Sequence, residues 1–167
     1  MKTALRNSIF VALGIFLSAG SAYAAQWVDT VGANAVLEYP GNTTNSASGS
    51  AASYYKGWGL EFTQKAGTQN WVHAPVPSIG TQQADTIEVK YFKQYADASI
   101  GTIDIYNGEV KIKTVTAPVG VVGWNTFSIS LGGTLSVGYG LGVSLNIIPS
   151  PGKDTKFIIG DVGARFQ

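Results

Sequence analysis

Residues 135–147, "LSVGYGLGVSLNI", place Leu135, Val137, Tyr139, Leu141, Val143, Leu145 and Ile147 at alternate positions, with only Ser, Gly and Asn between them. A period of two belongs to an extended chain, whose successive side chains point to opposite faces. The spacing predicts one long strand over 134–148 with its apolar side turned into a core. Its other side, Ser136, Gly138, Gly140, Gly142 and Ser144, is nearly bare. Glycine inside a strand marks a bend, or the close approach of another backbone or of a ligand. The strip therefore reads as a bend in a curved strand, with a binding floor or a self-association surface as the alternative.

The same alternation recurs in runs over 54–63, 70–74, 86–95, 100–106, 109–116, 124–131 and 155–166, and no stretch after residue 24 has a helical period. Short strands separated by Gly and Pro predict an all-β fold: a two-sheet antiparallel β-sandwich, jelly-roll-like, of about 8–9 strands. Asn107-Gly108 predicts a type I′ hairpin between "TIDIY" and "EVKIK", because that turn needs positive φ at both central residues. A small outer-membrane β-barrel is the alternative raised by the ending "FIIGDVGARFQ". Its strands would need about 9–11 residues each. Only 134–148 and 155–166 exceed that length, and the shorter runs suit a core better than a bilayer.

Lys2 and Arg6, the apolar run 9–17 and the Ala22-Tyr23-Ala24 site have the order of a cleaved signal peptide, of bacterial type, over 1–24. Cleavage after Ala24 would leave 143 of the 167 residues. The expected location is secreted, whether periplasmic or extracellular. Residues 25–40 are expected to form an N-terminal strand segment and 41–53 ("GNTTNSASGSAAS") a flexible loop, too poor in apolar surface to order itself. The sandwich domain should span 54–167.

Removing Lys2 and Arg6 takes 11 basic residues to 9 against 10 acidic ones, a net charge of −1. The cations are scattered, so nucleic acid is not an expected partner, and stable membrane insertion is not expected either. With no cysteine, the fold must hold by its core, and thiol chemistry is excluded. A single histidine, His73, and no cysteine argue against an imidazole-based metal site. No cofactor is expected; calcium, which needs only oxygen ligands, stays open. Neither a G-x-S-x-G elbow nor a distinctive carboxylate pair marks a catalytic centre.

Aromatic rings carry the functional reading, since the apolar C–H faces of sugars stack on exposed Trp or Tyr. In "YYKGWGLEF", Trp58 is in phase with Leu60 and Phe62 and reads as core, which leaves Tyr55 as the exposed ring. Trp71 shares a face with His73, and Trp124 one with Thr126 and Ser128, so both read as exposed. The candidate ligand-binding set is Trp71, His73, Trp124, Tyr55, Asn70 and Asn125, and no residue is assigned to catalysis or to a metal. If the rings converged with the two amides they would form a sugar-binding face.

From residue 70 to the end, "NWVHAPVPSIG", "DTIEVKYFK", "GTIDIYNGEVKI", "WNTFSISLG" and "KFIIGDVGARF" resemble a family of small exported β-sandwich proteins without an assigned activity. The resemblance implies a fold and no catalytic residue. The layout is also similar to jelly-roll carbohydrate-binding modules, which implies glycan binding by fold analogy alone. The expected function is a non-enzymatic, lectin-like protein that binds a glycan or cell-envelope polysaccharide. The alternatives are a self-assembling extracellular matrix or surface protein and, below it, a secreted hydrolase.

Overall fold

The computed structural model describes residues 25–44, 55–78, 83–138 and 140–167; the expected signal peptide, the expected loop from 45 to 53, and Tyr139 lie outside them. The described residues form eleven strands: β1 (Gln26–Val31), β2 (Val36–Leu37), β3 (Tyr55–Lys56), β4 (Gly59–Gln64), β5 (Asn70–Val76), β6 (Gln83–Lys93), β7 (Ser99–Asn107), β8 (Val110–Thr116), β9 (Gly123–Ser136), β10 (Leu141–Ile148) and β11 (Thr155–Phe166). One sheet runs β3-β4-β11-β6-β9 with β1 also beside β11, and the other runs β2-β5-β10-β7-β8. All pairings are antiparallel.

Eight of the strands pair in a nested series: β7 with β8, β6 with β9, β5 with β10, β4 with β11. Successive pairs fall alternately in the two sheets, as when one long hairpin ribbon is rolled on itself. That is a jelly roll. The expected sandwich is therefore present, with β1, β2 and β3 added to these eight strands.

The core lies between the sheets. Leu60, Phe62, Ile87, Val89, Tyr91, Phe157 and Ile159 face Val72, Ala74, Ile103, Ile105, Val143, Leu145 and Ile147, all fully or almost fully buried. Phe62 and Phe157 stack with centroids 5.9 Å apart. Each of the larger side chains contributes about 1.5–3 kcal/mol by leaving water, and with no cysteine in the sequence the fold rests on this core.

The run 134–148 is two strands rather than one. β9 ends at Ser136 in the first sheet and β10 starts at Leu141 in the second. The chain crosses between them at Gly140, whose φ of +93° is closed to most other residues. Alternation could not reveal the break, because Val137 and Leu141 are both buried and the phase survives the bend.

The Asn107-Gly108 hairpin forms one residue later than expected. Asn107 pairs with Val110, so Gly108 and Glu109 are the central residues, and only Gly108 has positive φ. This is the pattern of a type II′ turn. Asn107 stays in the strand because its amide donates to Ser136 O at 3.0 Å and accepts from Gly138 N at 3.2 Å.

The N-terminal segment docks on its own chain. β1 covers the second half of β11 while β4 covers the first half, end to end along one edge. Of the expected loop, Thr43 is buried and bridges to Gln64, while Gly41 and Thr44 stay exposed.

Candidate functional site

The outer face of β10 carries Gly142, Ser144 and Asn146, the small residues of the alternating run. β5 sets Pro75, His73 and Trp71 opposite these three, and β7 sets Tyr106 opposite Gly142 and Asp104 opposite Ser144. A low floor thus runs along the middle strand of the second sheet between taller walls. At the Gly142 end it opens into a cleft bordered by Pro75, Pro77, Gly108 and Gly140.

Asn146 and Trp71 are cross-strand partners on this face. Asn146 is 9% exposed. Its amide has no hydrogen-bond partner among the described residues, and its polar atoms still touch solvent. Opposite it, β7 bulges, since Leu145 pairs with Ile103 but Ile147 with Ile100. Gly101 in that bulge leaves the space the amide occupies: a Cβ there would stand 3.0 Å from Asn146 Oδ1.

His73 is bonded on both ring nitrogens, Nδ1 to Ser144 Oγ at 2.8 Å and Nε2 to Glu38 Oε2 at 3.1 Å. Glu38 reaches the ring because its N–H donates to Trp71 O at 3.0 Å, which continues the edge started by β2. An ionised carboxylate only accepts, so Nε2 carries the proton; in the neutral ring Nδ1 then accepts the Ser144 hydroxyl proton. Glu38 is held below the ordinary carboxylate value by the Tyr39 hydroxyl first and, against some desolvation, by His73. Ser144 is 5% exposed. On the β7 side, Asp104 accepts from Thr114 Oγ1 and from Lys111 Nζ at 3.3 Å.

The candidates named from sequence do not converge. Trp71 and His73 lie on this face, but Trp124 is on β9, on the outer face of the other sheet, because alternation sends each ring away from the core on its own side. Asn70 is fully buried, its amide accepting from Tyr39 N and donating to Tyr39 O and Gln64 Oε1. It ties the N-terminal segment to β5 and is closed to a ligand. Asn125 lies on the opposite face of β9 from Trp124 and braces the preceding loop through Val121 N, Val121 O and Gly123 O. Tyr55 pairs with Leu60 by its backbone, and its side chain lies outside what is described.

Trp58 is not core. It is 51% exposed in the turn between β3 and β4 and meets Trp124, 48% exposed, edge to face with centroids 6.4 Å apart. The phase that aligned it with Leu60 does not pass through the turn. Phe92 also meets Trp124 edge to face at 5.9 Å, and Gly160 makes room for that indole, since a Cβ there would lie 3.1 Å from its Cζ3. Asp161, on the same sheet, has a buried Oδ1 without a hydrogen-bond partner among the described residues. Burial first, and then the Asp29 carboxylate, push its pKa up.

Sequence reasoning missed Glu38, Ser144 and Asn146. Ser144 and Asn146 were visible as the polar positions of the bare strip; Glu38 had no signal, since only the docking of the N-terminal segment brings it to His73. Among the described residues no group of three His, Asp or Glu could hold a metal ion, and no helix is long and apolar enough to cross a membrane.

No protein-family model matches the chain, and no curated protein matches it in sequence. Solved structures similar to it include carbohydrate-binding modules. One of family 29 is 12% identical, with a TM-score of 0.42 over 84% of this chain and 89% of that one. TmCBM61 in complex with beta-1,4-galactotriose is 12% identical, with a TM-score of 0.43 over 82% and 86%. The low-affinity xylan-binding module CBM86 from Roseburia intestinalis is 11% identical, with a TM-score of 0.48 over 85% and 96%. At these scores the likeness carries no weight for function, and the jelly roll rests on this chain's own strand order.

Proposed function

We propose that the chain is an exported glycan-binding protein that holds a sugar chain along the β10 floor, with Trp71 stacking on a ring and Asn146 bonding its hydroxyls. The observation that carries this reading is the Trp71–Asn146 pair: an aromatic wall beside a nine-tenths buried amide with no partner of its own among the described residues. The amide is unbonded yet still touches solvent, so a ligand's hydroxyls can reach it. A sugar, whose hydroxyls both donate and accept, would satisfy it while its C–H face covers the indole. His73 adds a further polar group along the same floor. Binding, rather than turnover, is the activity this reading assigns to the Trp71 row.

The test is retention on insoluble polysaccharides and a glycan array, with competition by soluble glycan. Retention that is competed and is lost in Trp71→Ala and Asn146→Ala, with unchanged melting temperature, supports the reading. Retention of nothing across the panel, or retention indifferent to both substitutions, sinks it.

A further inference from the structure

We propose that Ser144, His73 and Glu38 form an acyl-transfer relay that hydrolyses small acyl esters, and that Asn146 donates to the oxyanion. Ser144 Oγ, both nitrogens of His73 and Glu38 Oε2 are linked in series at 2.8 and 3.1 Å. The order is that of nucleophile, base and orienting carboxylate, which is recognised by geometry and role rather than by sequence position. Glu38 selects the tautomer in which Nδ1 is free to take the serine proton. The Asn146 amide lies two residues along the same face of β10, with its hydrogen-bonding capacity unspent among the described residues.

Access comes from the Gly142 side. A Cβ at Gly142 would meet only Tyr106 Cβ within 4 Å, at 3.5 Å, so there is free space over Gly142, which borders the cleft and lies two residues from the 5% exposed Ser144. This placement favours a short acyl group, such as acetyl, entering past Gly142 over a bulky one. That the alcohol part of the ester is a sugar rests on the glycan reading above; the relay itself does not.

In the reaction Ser144 Oγ bonds to the acyl carbon and its proton passes to His73 Nδ1. The tetrahedral oxyanion accepts from Asn146 Nδ2. The bond between the acyl carbon and the alcohol oxygen then breaks, and His73 Nδ1 returns the proton to that oxygen as the alcohol leaves. Water attacks the acyl-serine, giving its proton to Nδ1, and the same atom protonates Ser144 as the carboxylic acid departs. Glu38 is a positioning residue that holds Nε2–H throughout.

The first experiment treats the wild-type protein with a fluorophosphonate and locates the adduct by intact-mass and peptide mapping, so that it depends on no variant's folding. Acetate release from 4-nitrophenyl acetate and from O-acetylated xylan is then measured. A single adduct on Ser144 is expected, with turnover that falls by about 100-fold or more in Ser144→Ala and His73→Asn. Ser128→Ala, on the other sheet, should change neither result. Glu38→Gln should lower kcat about ten-fold or more with KM unchanged and alter the pH–rate profile, which a loss of folding alone would not do. No adduct, an adduct elsewhere, or hydrolysis that survives Ser144→Ala overturns the relay. Glycan retention without labelling at Ser144 would leave the binding reading standing, and labelling without retention would leave the relay standing.

Discussion

Trp71 and Asn146 face each other across neighbouring strands of one sheet, the indole on β5 and the unbonded amide on β10. Removing each tests a different component of recognition. Trp71→Ala takes away the stacking wall and should weaken glycan retention about ten-fold or more. Asn146→Ala removes a hydrogen-bonding group worth about 1 kcal/mol, or roughly five-fold. Since Asn146 is unpartnered within the described chain, its removal should leave the melting temperature unchanged or raise it. A fall of many degrees would mean that the amide supports the fold instead.

Trp58 and Trp124 should couple to each other and leave glycan binding alone. Their edge-to-face contact on the outer face of the other sheet predicts a coupling of about 0.5–1.5 kcal/mol in a double-mutant cycle of unfolding. Each single Ala variant should retain glycan as the wild type does. Retention lost in Trp124→Ala but kept in Trp71→Ala would move the binding face to the first sheet.

The division between what the sequence showed and what it hid follows one physical line. Leu141, Val143, Leu145 and Ile147 are buried as their spacing predicts, because burial in a strand depends on a local period of two. Trp71 and His73 share an outer face for the same reason. Where a turn intervenes the period says nothing, and so Trp58 is exposed and 134–148 is broken in two. Convergence is a property of sheet order, which no local pattern encodes. Trp71 and Trp124 stand on different sheets, while Glu38 and His73 meet across 35 residues.

Gly32 and Gly57 should respond very differently to the same substitution. A Cβ at Gly32 would collide with the backbone carbonyl oxygen of Ile159, where β1 and β4 meet along β11, and backbone on both sides leaves little room to give. Gly32→Ala should therefore destabilise by about 2–3 kcal/mol, within the range of overpacking. A Cβ at Gly57 would have nothing within 4 Å, so Gly57→Ala should shift stability by about 0.5 kcal/mol at most. Urea titration of the two variants checks this; equal midpoints would show that the N-terminal segment is not docked on β11 in solution.

Asp161 should be a position where neutralisation stabilises. Its Oδ1 is buried without a partner among the described residues, and Asp29 on β1 adds a like charge. Asp161→Asn keeps the shape and removes the charge, and the expected gain at neutral pH is on the order of 1 kcal/mol. The sign with pH follows from linkage. Because the folded pKa is raised, the native state binds more protons than the unfolded state between the two pKa values, and wild-type stability falls as pH climbs through that window. The advantage of the Asn variant should thus be full above the folded pKa of Asp161 and shrink as pH falls toward about 4, the ordinary aspartate value. Lys90, the one cation acting on Asp161, opposes the shift, so Lys90→Ala should enlarge the gain from Asp161→Asn. Urea midpoints at pH 4 and pH 7 for the wild type and the Asn variant measure the difference. A gain that is the same at both pH values would show that the carboxylate's charge is not what destabilises this face.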